Sequence, residues 1–342
     1  KEDTVEFNAD SYKTQPSAVV EDLLKKLPGV EVDENGKITA NGKEVTKILL
    51  DGKEFFSDDP LVASKNIPVE MIEKLQVVDR QSDLARITGV DDGEEETVIN
   101  LTIKPGMKKG WFGEAQGGYG YGVDNPDRYA GSVMANYIYG DNQFTIIANS
   151  NNVNSLGFTD MGRSRFRRFG GNNGIATSHS LGANFNVGNK DIFRVGGDVM
   201  YSYNNRDTWQ RSDRQNFFTD SVSYQESASQ ANDIGQQISG RFRIEWRPDS
   251  LNTFEFRPRF SVNINDSHKV EESLTSAGDA ARSQVNRNSN TSDNHGVNVE
   301  ASGELIYNHR FTSKPGRSFS IHARYNFSNT REKGSSLDST LY

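Results

Sequence analysis

Four arginines crowd one stretch of this 342-residue chain. In MGRSRFRRFGG, residues 161–171, Arg163, Arg165, Arg167 and Arg168 surround Phe166. A guanidinium offers paired N–H donors to a carboxylate or phosphate, so this spacing suits contact with an anionic ligand. The plainer reading is a solvated basic loop. DDGEEE at 91–96 has enough carboxylates for calcium, yet a solvated acidic loop accounts for it more simply. SDDP at 57–60 reads as a cap on the short segment LVASKN rather than as metal ligands. NGKEV and DGKEF lack the upstream glycine and the Ser/Thr of a phosphate-binding loop, and the glycines of GGYGYG at 117–122 are wrongly spaced for a dinucleotide. His179, His268, His295, His309 and His322 fall in separate segments without zinc spacing. Zero cysteines removes disulfide and thiolate chemistry. No catalytic, metal or cofactor site emerges, and an enzyme is not expected.

The elements that would position such residues fall into two materials. Overall the chain is 34% hydrophobic with net charge -8, values that suggest a soluble acidic protein. Nothing approaches the roughly 18 apolar residues of a transmembrane helix, and no apolar signal segment follows Lys1. Residues 1–110, however, hold 23 Asp/Glu against 15 Lys/Arg, and residues 111–342 hold 24 of each, so the net charge lies entirely in the first part. Lysine dominates the first part and arginine the second, and only four of 34 aromatics (Phe7, Tyr12, Phe55, Phe56) precede Trp111. The change falls at KPGMKKGWFG, with Pro105-Gly106 as the break. Domains at 1–110 and 111–342 follow.

Residues 1–110 read as a small α+β unit. Val20, Leu23, Leu24 and Leu27 form one helical stripe, with Ser17 as its cap and Pro28-Gly29 as its stop. Val30/Val32, Ile38/Ala40 and Ile48/Leu50 mark three short strands. Asn35-Gly36, Asn41-Gly42 and Asp51-Gly52 supply the positive φ of tight turns. The spacing of PVEMIEKLQVVD predicts a second helix from Pro68, and TVINLTIK a last strand.

Beyond Trp111 the period is two. Phe193, Val195, Val199 and Tyr201 oppose Arg194 and Asp198; Phe242, Ile244 and Trp246 oppose Arg241, Arg243 and Glu245. Phe254, Phe256 and Phe260 oppose Glu255, Arg257 and Arg259, and Phe319 and Ile321 oppose His322 and Arg324. A soluble sandwich also alternates. Strands expected at about 9–14 residues, with short turns alternating with long loops around 153–174, 205–230 and 268–293, favour a membrane β-barrel. Phe193, Val195, Phe242, Ile244, Phe254, Phe256 and Phe319 then face lipid; Arg241, Arg243, Arg257 and Arg324 face the lumen, where plug carboxylates can pair with them. Pro258 inside a strand implies a bulge. About nine strands are expected, and nine open strands leave two bare edges in lipid. A domain of about 100 residues, roughly 13 Å in radius of gyration, fits only a large barrel of roughly 22 strands. The chain would supply part of one, and EKGSSLDSTLY is too polar to close it.

The run DTVEFNADSYKTQPSAVVEDLLKKLPGVEVDENGKITANGKEVTKILLDGKEFFSDDP, with NIPVEMIEKLQVVD and TGVDDGEEETVINLTIK, resembles the plug of TonB-dependent outer-membrane receptors of the Bacteroidota type, over residues 3–122. The resemblance implies an α+β plug facing the periplasm inside a large antiparallel barrel, long loops outside the cell, and ligand uptake driven by the TonB complex through a segment upstream of this chain. It also implies outer-membrane lipid and lipopolysaccharide as surroundings, whose phosphates would suit the arginine loop, and a surface lipoprotein as a partner; nucleic acid is not expected. No TonB box precedes Asp3. A non-transporting outer-membrane scaffold and a soluble β-rich binding protein are the alternative readings. A gate of this kind is expected to dock through a polar, hydrated interface.

Overall fold

The computed structural model describes residues 3–15, 18–33, 36–56, 60–122, 127–154, 174–189, 191–219, 221–278, 282–313 and 317–342. Ser17, Asn35, residues 57–59 and the arginine loop lie outside these.

Two sheets account for nearly all of it. The first comprises β1 (Asp3–Asn8), β2 (Val30–Val32), β3 (Ile38–Ala40), β4 (Lys43–Leu50), β5 (Lys53–Glu54), β6 (Ile72–Gln81) and β7 (Glu95–Ile103). Its order is β1-β6-β7-β4-β3-β2, with β5 hairpinned onto β4; only β4 and β7 run parallel. Asn41-Gly42 and Asp51-Gly52 have φ of 50°, 80°, 49° and 76°, which closes two-residue turns with the twist that hairpins require. The expected helical stripe is present: α1 (Val20–Leu24) and the turn after it bury Val20, Leu23, Leu24 and Leu27. These pack with Ile38, Ile48, Leu50, Leu75, Ile99 and Leu101 into one core. α2 (Pro60–Asn66) and α3 (Asp83–Thr88) complete the unit.

The helix expected from Pro68 is not there. A single short turn, Val69–Met71, leads into β6, which pairs with β1 on one side and β7 on the other. The β6–β7 register shifts between Ile72 and Lys74, so buried Ile72 and Leu75 stand three apart inside a strand. That spacing imitates a helical period.

The second sheet has nine antiparallel strands in sequential order: β8 (Lys109–Gly120), β9 (Arg128–Tyr139), β10 (Asn142–Asn151), β11 (Ile175–Asn189), β12 (Phe193–Phe217), β13 (Val222–Trp246), β14 (Asn252–Ala277), β15 (Gln284–Arg310) and β16 (Ser318–Leu341). Strand number agrees with the alternating pattern; strand length does not. β12 to β16 run 24 to 27 residues, so most of the segments 205–230 and 268–293 is paired strand rather than long loop. Polar residues such as Gln225, Asn290 and Ser336 sustain the ladder there because backbone hydrogen bonds need no apolar face. The polar stretch 331–341 is likewise strand, paired with β15.

Pro258 produces no bulge. Arg241 opposite Arg259 and Ile244 opposite Phe256 keep one register on both sides of it, while the β13–β14 pairing is interrupted between them. On its other edge Pro258 still faces Gly303. Lacking an N–H, the proline removes ladder bonds without adding a residue.

Candidate functional site

One face of the nine-stranded sheet meets the small unit from β8 to β15. Its centre is Asp83, the first residue of α3. Ser82 caps that helix by accepting the Ala85 N–H at 3.0 Å, and Gly89 closes it at φ 73°. Both ends fixed, α3 holds the carboxylate rigidly, and it is only 4% exposed.

Five cations converge on Asp83. Oδ2 takes Lys47 Nζ at 2.9 Å, Arg243 Nη1 at 3.2 Å and Arg257 Nη2 at 3.5 Å; Oδ1 takes Arg80 and Arg86, each at 3.4 Å. Arg243 and Arg257 come from β13 and β14, so the carboxylate ties the small unit to the wall. Glu54 repeats the tie, accepting Arg243 Nη1 at 2.7 Å. Behind them the wall supplies its own carboxylates: Glu245 and Glu255 lie 2.8 and 2.7 Å from Arg243 Nε, and Glu304 lies 3.3 Å from Arg257. Burial alone would raise the Asp83 pKa, but Arg243, Lys47 and Arg257 outweigh it and hold the carboxyl well below the usual carboxylate range.

Further polar ties surround this cluster. Asn186 donates to the Glu54 carbonyl at 3.0 Å, Asn308 to the Ile87 carbonyl at 3.1 Å, and Lys53 to the Asp141 carbonyl at 2.7 Å, at the β9–β10 turn. Burial lowers the Lys53 pKa, against the pull of Asp141.

The interface is not polar throughout, contrary to the expectation for such a gate. Phe55 and Phe56, edge to face at 5.0 Å, join one apolar cluster with Met134 and Ile138 of β9 and Ile147 of β10, with Met200 of β12 packed against it. Phe56 is 1% exposed and has φ 47°, a strained conformation for an aromatic residue that its packing must hold. It reaches β11 at Gly182, where a Cβ would lie 2.9 Å from Ile147 and 3.1 Å from Phe56. The small unit therefore contacts β9–β12 largely through an apolar seam, β13 and β14 through charge, and β15 through the Asn308 amide.

Of the lumen-facing arginines expected from sequence, Arg243 and Arg257 pair with carboxylates of the small unit, Arg324 pairs with Glu304 of the wall at 3.0 Å, and Arg241 lines a cavity between the two sheets. Phe193, Ile244, Phe254 and Phe256 gather on the opposite face, where Trp246, Phe254 and Tyr307 stack. DDGEEE is structural: Asp92 accepts from the capping residue Ser82, while Glu95 and Glu96 pair with Lys43 and with Lys47 and Arg80. No metal-binding group of His, Asp or Glu occurs among the described residues. Arg163, Arg165, Arg167 and Arg168 lie outside the described residues. Sequence reasoning missed Asp83 and Glu54; the pairing of Ser82 with a following helix was the local signal available for the former.

No family model and no curated protein matches the chain. Among solved structures it is similar to the copper transporter OprC (15% identity, TM-score 0.34, 98% of this chain and 61% of that one). It is also similar to the siderophore receptor PirA from Pseudomonas aeruginosa (12%, TM-score 0.31, 94% and 61%) and to the alcaligin outer-membrane receptor FauA from Bordetella pertussis (10%, TM-score 0.28, 100% and 58%). The chain thus spans less than two thirds of the length of each.

Proposed function

We propose that the chain is the plug and part of the wall of an outer-membrane β-barrel importer, with residues 1–110 as its gate and residues 111–342 as wall. The observation that carries this reading is Asp83. A carboxylate on a rigid helix of the small unit is fastened to Arg243 and Arg257 on the inner face of a sheet whose outer face is aromatic. An aromatic outside and a charged inside match a wall with lipid on one side and water on the other. β8 and β16 each pair on one edge only among the described residues, and in lipid those edges need further strands.

The fastening suits a gate. Ion pairs bordering a hydrated cavity can exchange partners with water when they part, whereas an apolar core would not. A pull transmitted from the TonB complex through a segment upstream of the plug would separate α3 from β13 and β14 and open a path, with no covalent chemistry. The cargo would seat first on the extracellular side, where β12–β16 extend more than twice the length of a bilayer crossing.

Deleting residues 3–104 from the intact protein should turn a closed barrel into a large, non-selective pore in planar bilayers. A deletion variant that inserts correctly yet conducts no more than its parent would end the importer reading.

A further inference from the structure

The outer face of the wall changes character at one height. From the facing residues Phe254, Tyr307 and Ile321, the outward positions of β14 and β15 run apolar as far as Ile264 and Val297. The next two outward positions carry Asp266 and His268 on β14 and His295 and Asp293 on β15, with Lys333 of β16 facing His295. Asp266, His295 and Lys333 stand twelve residues along their strands from Phe254, Tyr307 and Ile321. At a rise of about 3.3 Å per residue and a tilt of about 40°, that distance climbs about 30 Å along the membrane normal, the thickness of the hydrocarbon core. The cluster therefore lies where headgroups begin, on the side toward which β12–β16 extend.

Its polar groups are ordered. His295 Nδ1 stands 2.6 Å from Asp266 Oδ1, and His268 Nδ1 2.6 Å from Asp293 Oδ1, so each strand gives one acid and one imidazole to two crossed pairs. A carboxylate at Nδ1 orients the ring and leaves Nε2 as the open nitrogen. Both imidazoles, both carboxylates and Lys333 line a cavity of about 480 Å³. Arg331 stands on the same face opposite Val297, one outward position nearer the apolar band. The two carboxylates are thus engaged by imidazoles, and among the described residues no ion pair joins Lys333 or Arg331 to an acid.

We infer that this outer-face cavity holds the headgroup phosphate of one outer-leaflet lipopolysaccharide, whose acyl chains lie along Val262, Ile264, Val297 and Val299. The choice of leaflet rests on the orientation of the proposed importer; the lipid contact needs only the barrel. Lys333 brings a point charge and Arg331 a planar fork, the two ways in which side chains take phosphate. An imidazole protonated against its carboxylate adds an Nε2–H donor. The apolar band directly beneath selects a lipid over a free phosphate, because the same molecule buries its chains there. A basic cluster at headgroup height on a lipid-facing surface gains from each lysine or arginine near the charged plane, whereas a solvated cross-strand pair gains little.

The test is native mass spectrometry of the intact protein in detergent, incubated with bisphosphorylated lipid A or with its dephosphorylated form. The phosphorylated lipid should be retained about tenfold more than the other, and inorganic phosphate at equal concentration should not displace it. Arg331→Gln and Lys333→Gln together should lower retention about tenfold. Both side chains are exposed, so the double variant leaves the fold intact. Arg287→Gln, the same kind of charge change farther up the outer face of β15 where Arg287 pairs with Glu272, should leave retention unchanged. No retained lipid, equal retention of the two lipids, displacement by phosphate, or equal losses in the β16 and Arg287 variants would overturn the site. No conductance is read, so failure here leaves the pore experiment standing, and the reverse.

Discussion

Asp83 concentrates the energetics of the junction in one carboxylate. Asp83→Asn would leave Arg243, Arg257 and Lys47 facing a neutral amide, and removing one partner from a buried ion network costs about 3–5 kcal/mol. Hydrogen exchange at the β6 and β7 amides should report that loss as faster local opening, with the β9–β11 amides little changed. The pH dependence has a definite sign. The folded-state pKa of Asp83 is depressed, so its contribution is complete above the unfolded value of about 3.9 and fades as pH falls below it. Exchange corrected for intrinsic rate should be flat from neutrality to about pH 5 and should accelerate below about pH 4; in Asp83→Asn that acid limb should be smaller. The partners of Asp83 on the wall are 160 and 174 positions away along the chain, which is why SDLARIT reads in the sequence as an ordinary capped turn of helix.

Individual elements were legible where local chemistry decides them. Asn-Gly and Asp-Gly mark their hairpins because those pairs tolerate positive φ, and Phe193, Phe242 and Phe254 fall on one face because strand side chains alternate. The inward direction of Arg243 and Arg257 followed from the same alternation. β6 was illegible because a register shift spaced its buried residues like a helix, and the strand extensions were illegible because polar ladders carry no hydrophobic signal. Pro258 belongs to this scale. Pro258→Thr restores an N–H that can donate to the facing carbonyl of β13, so the new amide at position 258 should be protected from exchange and the hairpin stabilised by about 1 kcal/mol. A new amide at position 258 that exchanges freely would mean that repulsion between the facing Arg243 and Arg257, rather than the proline, breaks the pairing.

At the scale of the whole molecule, the two faces of the wall make opposite demands on substitution. Phe242→Arg, on the aromatic face beside Phe185 and Phe260, should cost about 2–4 kcal/mol near mid-bilayer, read as a lower yield of correctly inserted protein in refolding from urea into vesicles. An equal yield for Phe242→Arg and its parent would place that face in water. The junction is also uneven around its circumference, apolar toward β9–β12 and ionic toward β13 and β14. A small unit held only by charge could settle at many angles within a wide ring of strands, since one arginine is much like the next. Phe56 removes that freedom: its ring fits over Gly182 and against Ile147, and strand neighbours with a Cβ offer no equal notch. The glycine thus works as a keyway that indexes the rotational seating of the whole unit, so that Asp83 arrives opposite Arg243 and Arg257 and not one strand to either side.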